Sequence, residues 1–271
     1  MKSLRPNLIK KKSLLIASVL LAFVGSAPAA VIWSDDFAGA SGAGSDTTTF
    51  SNASGGFAGG SVTPTGDSNT YSAYWDGATS DSSAWSMTLT AQQSAVGTSA
   101  GLVWTNSPNT GNTITTFGGL GSQDLNLATL TGWTPGAFTL SEIQSIVFTF
   151  NYRSDNYANG FGALIGIGAN NYTNYSSTNV GQSAGNPVDI GLLSAGDQAN
   201  FLSQINAANG IIHIGFYYPG STDAPGTSFA VSDLALSAAA VPEPGAWAMV
   251  AGGFGILFGF RPRAVASLLS Q

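Results

Sequence analysis

Between residues 31 and 240 the chain holds one histidine, His213, one glutamate, Glu142, twelve aspartates and no cysteine. The lack of cysteine excludes thiol catalysis and thiolate metal sites. A Ser-His-Asp triad would have to use His213. On a strand over residues 211–218 that side chain points with Ile211, Gly215 and Tyr217, away from the more apolar face, and reads as a sheet-surface histidine. Glycoside hydrolysis needs two carboxyl groups at a set separation. Glu142 stands in Leu140-Ser141-Glu142-Ile143, a turn into a strand, and no aspartate forms an evident pair with it. Oxygen ligands for a hard cation are easier to find. Asp35 and Asp36 beside the first strand and Asp233 in the last would approach one another if those strands pair, which makes them a candidate structural calcium site. The aromatic residues point to a different ligand. Tyr157, Tyr172 and Tyr175 lie among Asn and Ser in loop-like sequence, and Trp75 closes a short strand. Flat rings of this kind stack on sugars, with Asn, Asp and Ser bonding the hydroxyls, so these four are the candidate carbohydrate contacts. Trp85 and Trp104 alternate with polar residues and read as core.

Charged residues make up only 8% of the chain, against about 25% in ordinary globular domains. Their placement is uneven. Lys2, Arg5, Lys10, Lys11 and Lys12 lie at the N-terminus and Arg261 and Arg263 near the C-terminus, so Arg153 is the one base between residues 31 and 240. Thirteen acids share that span, for a net charge of −12. Such a surface repels phosphate backbones, which excludes nucleic acid as a partner. Neutral polymers and divalent cations remain.

The elements that must position these residues are short strands. Residues 31–37, 71–75, 85–90, 101–105, 113–117, 143–152, 161–168, 211–218 and 229–236 read as strands by alternation or β-branched content, with one weak strand near 47–50 inside a Gly/Ser/Thr-rich loop. The clearest is 143–152, where Ile146, Phe148, Phe150 and Tyr152 share a face. Residues 170–178 read as a loop. One helix is predicted over 196–209, with Ser194 and Asp197 as a capping box and Gly210 beyond its end. Strands that do not alternate with helices argue against βαβ units. The expected architecture is all-β, an antiparallel β-sandwich of jelly-roll type with one short helix.

Both ends read as processing segments. Residues 1–29 combine a basic start, an apolar stretch too short to span a bilayer comfortably, and Ala27-Pro28-Ala29, the pattern of a secretory signal peptide cleaved after Ala29. Residues 30–240 are then the exported domain. At the other end, Val241-Pro242-Glu243-Pro244 stops the last strand and is followed by an apolar run over 245–260, a predicted transmembrane helix. Arg261 and Arg263 lie on its far side, the arrangement expected of a cytoplasmic end.

This tail, 241–271, resembles the PEP-CTERM sorting signal of Gram-negative bacteria. Pro242, Glu243 and Pro244 match its tripeptide, 245–260 its helix, and Arg261 and Arg263 its basic end; the chain departs from the pattern in continuing to Gln271 and in placing Pro262 between the arginines. The resemblance covers about 30 residues and implies recognition by an exosortase-type enzyme, cleavage near the tripeptide, and delivery to the cell surface or extracellular matrix, often beside exopolysaccharide. It implies nothing about the chemistry of the cargo. The sequence therefore leads to an exported, non-enzymatic surface protein with transient membrane attachment, no cofactor beyond a structural calcium ion, and an extracellular polysaccharide as partner. The alternatives are a secreted carbohydrate-active hydrolase and a purely structural matrix protein.

Overall fold

A computed structural model of the chain describes residues 29–52, 58–67, 69–75, 85–107, 125–155, 161–177, 181–217 and 228–239. The expected signal peptide up to residue 28, the sorting tail 241–271 and the expected strand 113–117 lie outside the described residues. Ala29–Ala240 form one compact unit. Among the described residues, no helix is long and apolar enough to cross a membrane.

The chain is all-β and antiparallel. Its strands are β1 Ala29–Asp35, β2 Thr47–Asn52, β3 Ala58–Val62, β4 Tyr71–Trp75, β5 Trp85–Val96, β6 Ser99–Ser107, β7 Leu125–Asn126, β8 Val147–Asp155, β9 Phe161–Ile167, β10 Asn170–Ser177, β11 Gly181–Asp189, β12 Ile211–Tyr217 and β13 Ser228–Ala239. Among the described residues, three α-helices interrupt them: α1 Leu127–Thr131, α2 Leu140–Ile143 and α3 Ala195–Ala207. A seven-stranded sheet runs in the order β11-β8-β13-β6-β5-β2, with β1 also paired to β13. A four-stranded sheet runs β10-β9-β12-β7, and β3 and β4 form a separate hairpin.

The two larger sheets share one hydrophobic core. Alternation on β8 turns Phe148, Phe150 and Tyr152 inward, as the sequence predicts. Phe216 of β12 meets them from the other sheet: its ring centroid is 5.0 Å from Phe150, 5.7 Å from Phe148, 6.1 Å from Phe229 and 6.3 Å from Trp104. Helix α3 adds Phe201 and Ile205 to the same core. Its Ser194 side chain accepts from the Asp197 amide, so the predicted cap is present.

Several segments differ from expectation, β11 among them. Residues 140–143, expected as a turn into a strand that starts at 143, are a helical turn, because Thr139 and Glu142 form a reciprocal capping box there. Strand β8 starts later and continues through Arg153 to Asp155, held by β11 on one side and β13 on the other. Residues 170–177, expected as a loop, form β10 against β9.

Truncating Phe216 to Ala removes the ring common to both sheets. Equilibrium denaturation should show a loss of about 3–5 kcal/mol; a loss below about 1 kcal/mol would mean that the sheets do not meet at this residue.

Candidate functional site

A cluster of buried polar side chains lies where β1 ends. Asp35 is buried, and its carboxylate accepts from the Phe37 amide at 2.8 Å, from Asn69 Nδ2 at 3.0 Å and from the Tyr71 hydroxyl. Asn69 and Tyr71 come from the β3–β4 hairpin, so this one side chain ties the hairpin to the end of β1. Tyr71 is itself buried and its ring lies 5.2 Å from Phe37. The turn before Asn69 brings in Asp67. One of its oxygens accepts from the Asn69 amide at 2.9 Å, while Oδ2 is buried with no hydrogen-bond donor among the described residues. An open cleft of about 300 Å³ lies here, lined by Asp35, Asp36, Asp67 and Asn69 with Ser34 and the backbone that follows β1.

A second buried carboxylate braces the same loops. Asp46 accepts from the Ser41 amide at 2.6 Å, the Ser41 hydroxyl, the Thr65 amide at 2.6 Å and the Thr65 hydroxyl at 2.9 Å. The two loops touch closely enough that a Cβ at Gly39 would sit 1.8 Å from the Thr65 carbonyl oxygen. Glycine is therefore required there.

The two aspartates respond to burial in opposite ways. Burial works against the charge on Asp46, but donors from Ser41 and Thr65 outweigh it and hold the carboxyl at about 2. Asp35 is pushed up to about 6, first by burial and then by hydrogen bonding to Asp67; Tyr71, Phe37 and Asn69 pull the other way. Burial, followed by the charge of Asp35, raises the Tyr71 phenol, which keeps it a donor. Asp35 and Asp67 thus face the same cleft, and the neighbouring carboxyl adds to the effect of burial on Asp35.

The other residues singled out in the sequence are dispersed. Asp36 is exposed and caps the Ala38 amide at 3.1 Å. Strands β1 and β13 do pair, with Asp35 opposite Leu234, but the neighbouring Asp233 turns toward β8. It accepts from Asn151 Nδ2 at 2.7 Å and from the Ser232 hydroxyl at 2.9 Å. Among the described residues, no three His, Asp or Glu side chains gather as a metal-holding group, so the expected convergence of Asp35, Asp36 and Asp233 on calcium does not occur there. Tyr172, expected as an exposed sugar contact, is buried on β10 with its ring edge-on to Phe201 at 5.0 Å. Burial first, then the charge of Asp197, raises its phenol. Trp75 lies in β4 and Tyr175 in β10 opposite Ala163; Tyr157 falls outside the described residues.

The remaining catalytic candidates are also accounted for. Glu142 Oε2 accepts from the Thr139 amide and hydroxyl, both at 2.7 Å, which commits its carboxylate to the α2 cap. The His213 ring lies over Gly166 on the neighbouring strand. Ser99 and Ser183 each stand in a Gly-x-Ser-x-Gly run, at 97–101 and 181–185. Ser99 begins β6 at a hairpin tip and Ser183 lies inside strand β11; neither is on the strand-to-helix turn that a nucleophile elbow requires. Comparison with models of protein families and with curated proteins gave no match to this chain.

Two outcomes follow from the carboxylates. Asp46→Ala leaves four donors without their acceptor and should cost about 3 kcal/mol or more in denaturant unfolding; an unchanged midpoint would show that the loops do not depend on it. The pH dependence has a definite sign. The folded Asp35 binds its proton more tightly than the unfolded chain, so its contribution is complete below 3.8 and is lost as pH rises through about 6. Thermal unfolding should therefore occur at lower temperature at about pH 7 than at about pH 4.5, and Asp67→Asn should narrow that difference. A stability that rises over this window would contradict the pairing.

Proposed function

We propose that this is an exported, non-enzymatic β-sandwich protein of jelly-roll type, sorted to the cell surface or extracellular matrix by an exosortase-type system, where it associates with polysaccharide. The observation that carries the reading is the order of features along the chain. A basic, apolar leader precedes a span with thirteen acids and one base, and Val241, Pro242, Glu243, Pro244, the apolar run 245–260, Arg261 and Arg263 follow it. Seven of the eight bases lie in the two terminal segments. A machine that reads both ends and releases the middle accounts for this partition; a resident membrane enzyme does not require it. Transient attachment through 245–260 precedes processing.

The arrangement inside the compact unit supports a binding or structural role over hydrolysis. Glu142 is committed to a helix cap, and the buried carboxylates of Asp35 and Asp46 are taken up by local donors. The acidic, base-poor composition suits a neutral polymer better than a polyanion. No cofactor is needed for this role.

The test is the mature protein itself. Mass spectrometry of the surface or matrix fraction should find a new C-terminus near Pro242-Glu243-Pro244, with loss of roughly 30 residues, about 3 kDa at the mean residue mass of this chain. Replacing the three residues by Ala should leave the full-length precursor in the membrane fraction. Recovery of an intact Gln271 from the surface fraction would refute processing.

A further inference from the structure

The outward face of the seven-stranded sheet carries a row of hydroxyls that the registers make continuous. Thr49 of β2 pairs with Thr88 of β5, Thr88 with Thr105 of β6, Thr105 with Ser228 of β13, and Ser228 with Asp155 of β8. Cross-strand partners share a face, and this face is opposite the one that buries Leu89, Trp104 and Phe229 in the core. Thr49, Thr105 and Asp155 are exposed, and Thr88 and Ser228 are half-buried. The Thr49 and Thr88 hydroxyls are 3.0 Å apart, and the Ser228 hydroxyl donates to Asp155 Oδ2 at 2.7 Å. The Thr105 hydroxyl, in the centre, has no hydrogen-bond partner among the described residues.

The adjacent row, two residues along each strand, is covered at its centre. Val103 and Ala230 are buried beneath Ala95 and Val96 of the β5–β6 hairpin tip. The tip bends over the sheet because β5 carries extra residues: its register jumps from Gln92 opposite Gly101 to Val96 opposite Ser99, and Ser94 takes φ 56°. It reaches as far as β11, where a Cβ on Gly97 would lie 2.9 Å from Gln182 Nε2. The tip thus crosses the sheet from β5 to β11 as a wall, and the hydroxyl row beside it is an open floor five strands wide. At one end Arg153 Nε lies 3.2 Å from Asp155 Oδ2, so the single acid of the row is matched by the single base of the span.

We infer that this walled hydroxyl row binds a single, soluble chain of a neutral linear polysaccharide, lying across the strands. This rests on the polysaccharide-associated reading above and names its surface. The chemistry fits: a floor of hydroxyls both donates and accepts, as sugar hydroxyls do, and it offers no net charge to a polyanion. The length fits an oligosaccharide run, since five strands at ordinary spacing span about 19 Å. The shape excludes a flat crystal face. Neighbouring strands turn by about 20° relative to one another, so the floor turns with them, and only a chain free to twist can follow it.

The test uses the full-length chain purified in detergent, with affinity electrophoresis against hydroxyethyl cellulose, a soluble β-1,3-glucan and alginate, and sedimentation with microcrystalline cellulose. Thr→Val keeps the shape and suits strands, so Thr105→Val and the triple variant Thr49→Val/Thr88→Val/Thr105→Val should unfold at the wild-type temperature. The wild type should bind a neutral soluble chain and not alginate. Thr105→Val should weaken that binding about fivefold, the equivalent of one hydrogen bond, and the triple variant at least about tenfold. A folded triple variant that binds as the wild type does overturns the row while leaving polysaccharide association intact. Preference for alginate, or for crystalline over soluble cellulose, overturns the assigned ligand. A wild type that binds none of the four overturns the polysaccharide reading itself.

Discussion

Strand β13 is hydrogen-bonded along both edges, but one edge changes partner halfway. On one side β8 accompanies it from Ser228 to Ser237. On the other, β6 pairs with Ser228–Ser232 and β1 takes over from Leu234 to Ala239. Asp233 sits at the changeover with φ 52°, one extra residue relative to β8, and its carboxylate accepts from Ser232 and Asn151. This is a bulge pinned by its own side chain. Asp tolerates the left-handed region better than most residues, which gives Asp233 a conformational role at the bulge.

Much of the remaining architecture follows from that changeover. Because β1 occupies the second half of the edge, the β5–β6 hairpin leaves the sheet plane where β1 arrives, and Gln93 Nε2 ties its base to the carbonyls of Ala38 and Ala40. The displaced tip becomes the wall over Val103 and Ala230. The end of β1 is simultaneously fixed opposite Leu234, which sets Asp35 where the β3–β4 hairpin can reach it. One strand therefore positions both the carboxyl cleft and the hydroxyl floor. In a unit with a single base, the buried acids are used as acceptors for local backbone and hydroxyl donors: Asp46 has four such donors, and Asp35 has three together with a carboxyl neighbour.

The sequence revealed elements with strong periodicity. The inward face of β8 and the helix α3 with its cap were readable because Phe148, Phe150 and Tyr152 alternate and because Ser194 and Asp197 have capping spacing. Strands β10 and β11 were not readable. Gly181–Asp189 is mostly exposed and rich in Gly, Ser and Asn, so only its pairing with β8 makes it a strand. The same problem hid the fate of Tyr172: in loop-like sequence it promised exposure, whereas the β10 pleat turns it onto Phe201. Alternation marked Ser86, Thr88 and Thr90 as a wet face. The alignment of Thr88 with Thr49, Thr105 and Ser228 is a matter of cross-strand register, which no local pattern encodes. Asp67 and Asn69 were hidden for a similar reason, since a turn gives no sign of which strand end it will cover.

The central claim is that β13 is paired on both edges through Asp233. Amide hydrogen exchange resolved along residues 228–237 tests it most directly. In a strand, successive amides point to opposite edges. Pairing on both sides predicts that consecutive amides exchange slowly before and after Asp233, with the bulge as the one break. If alternate amides beyond Asp233 exchanged as a free edge does, β1 would not be the second partner, and both the wall and the cleft would lose their structural cause.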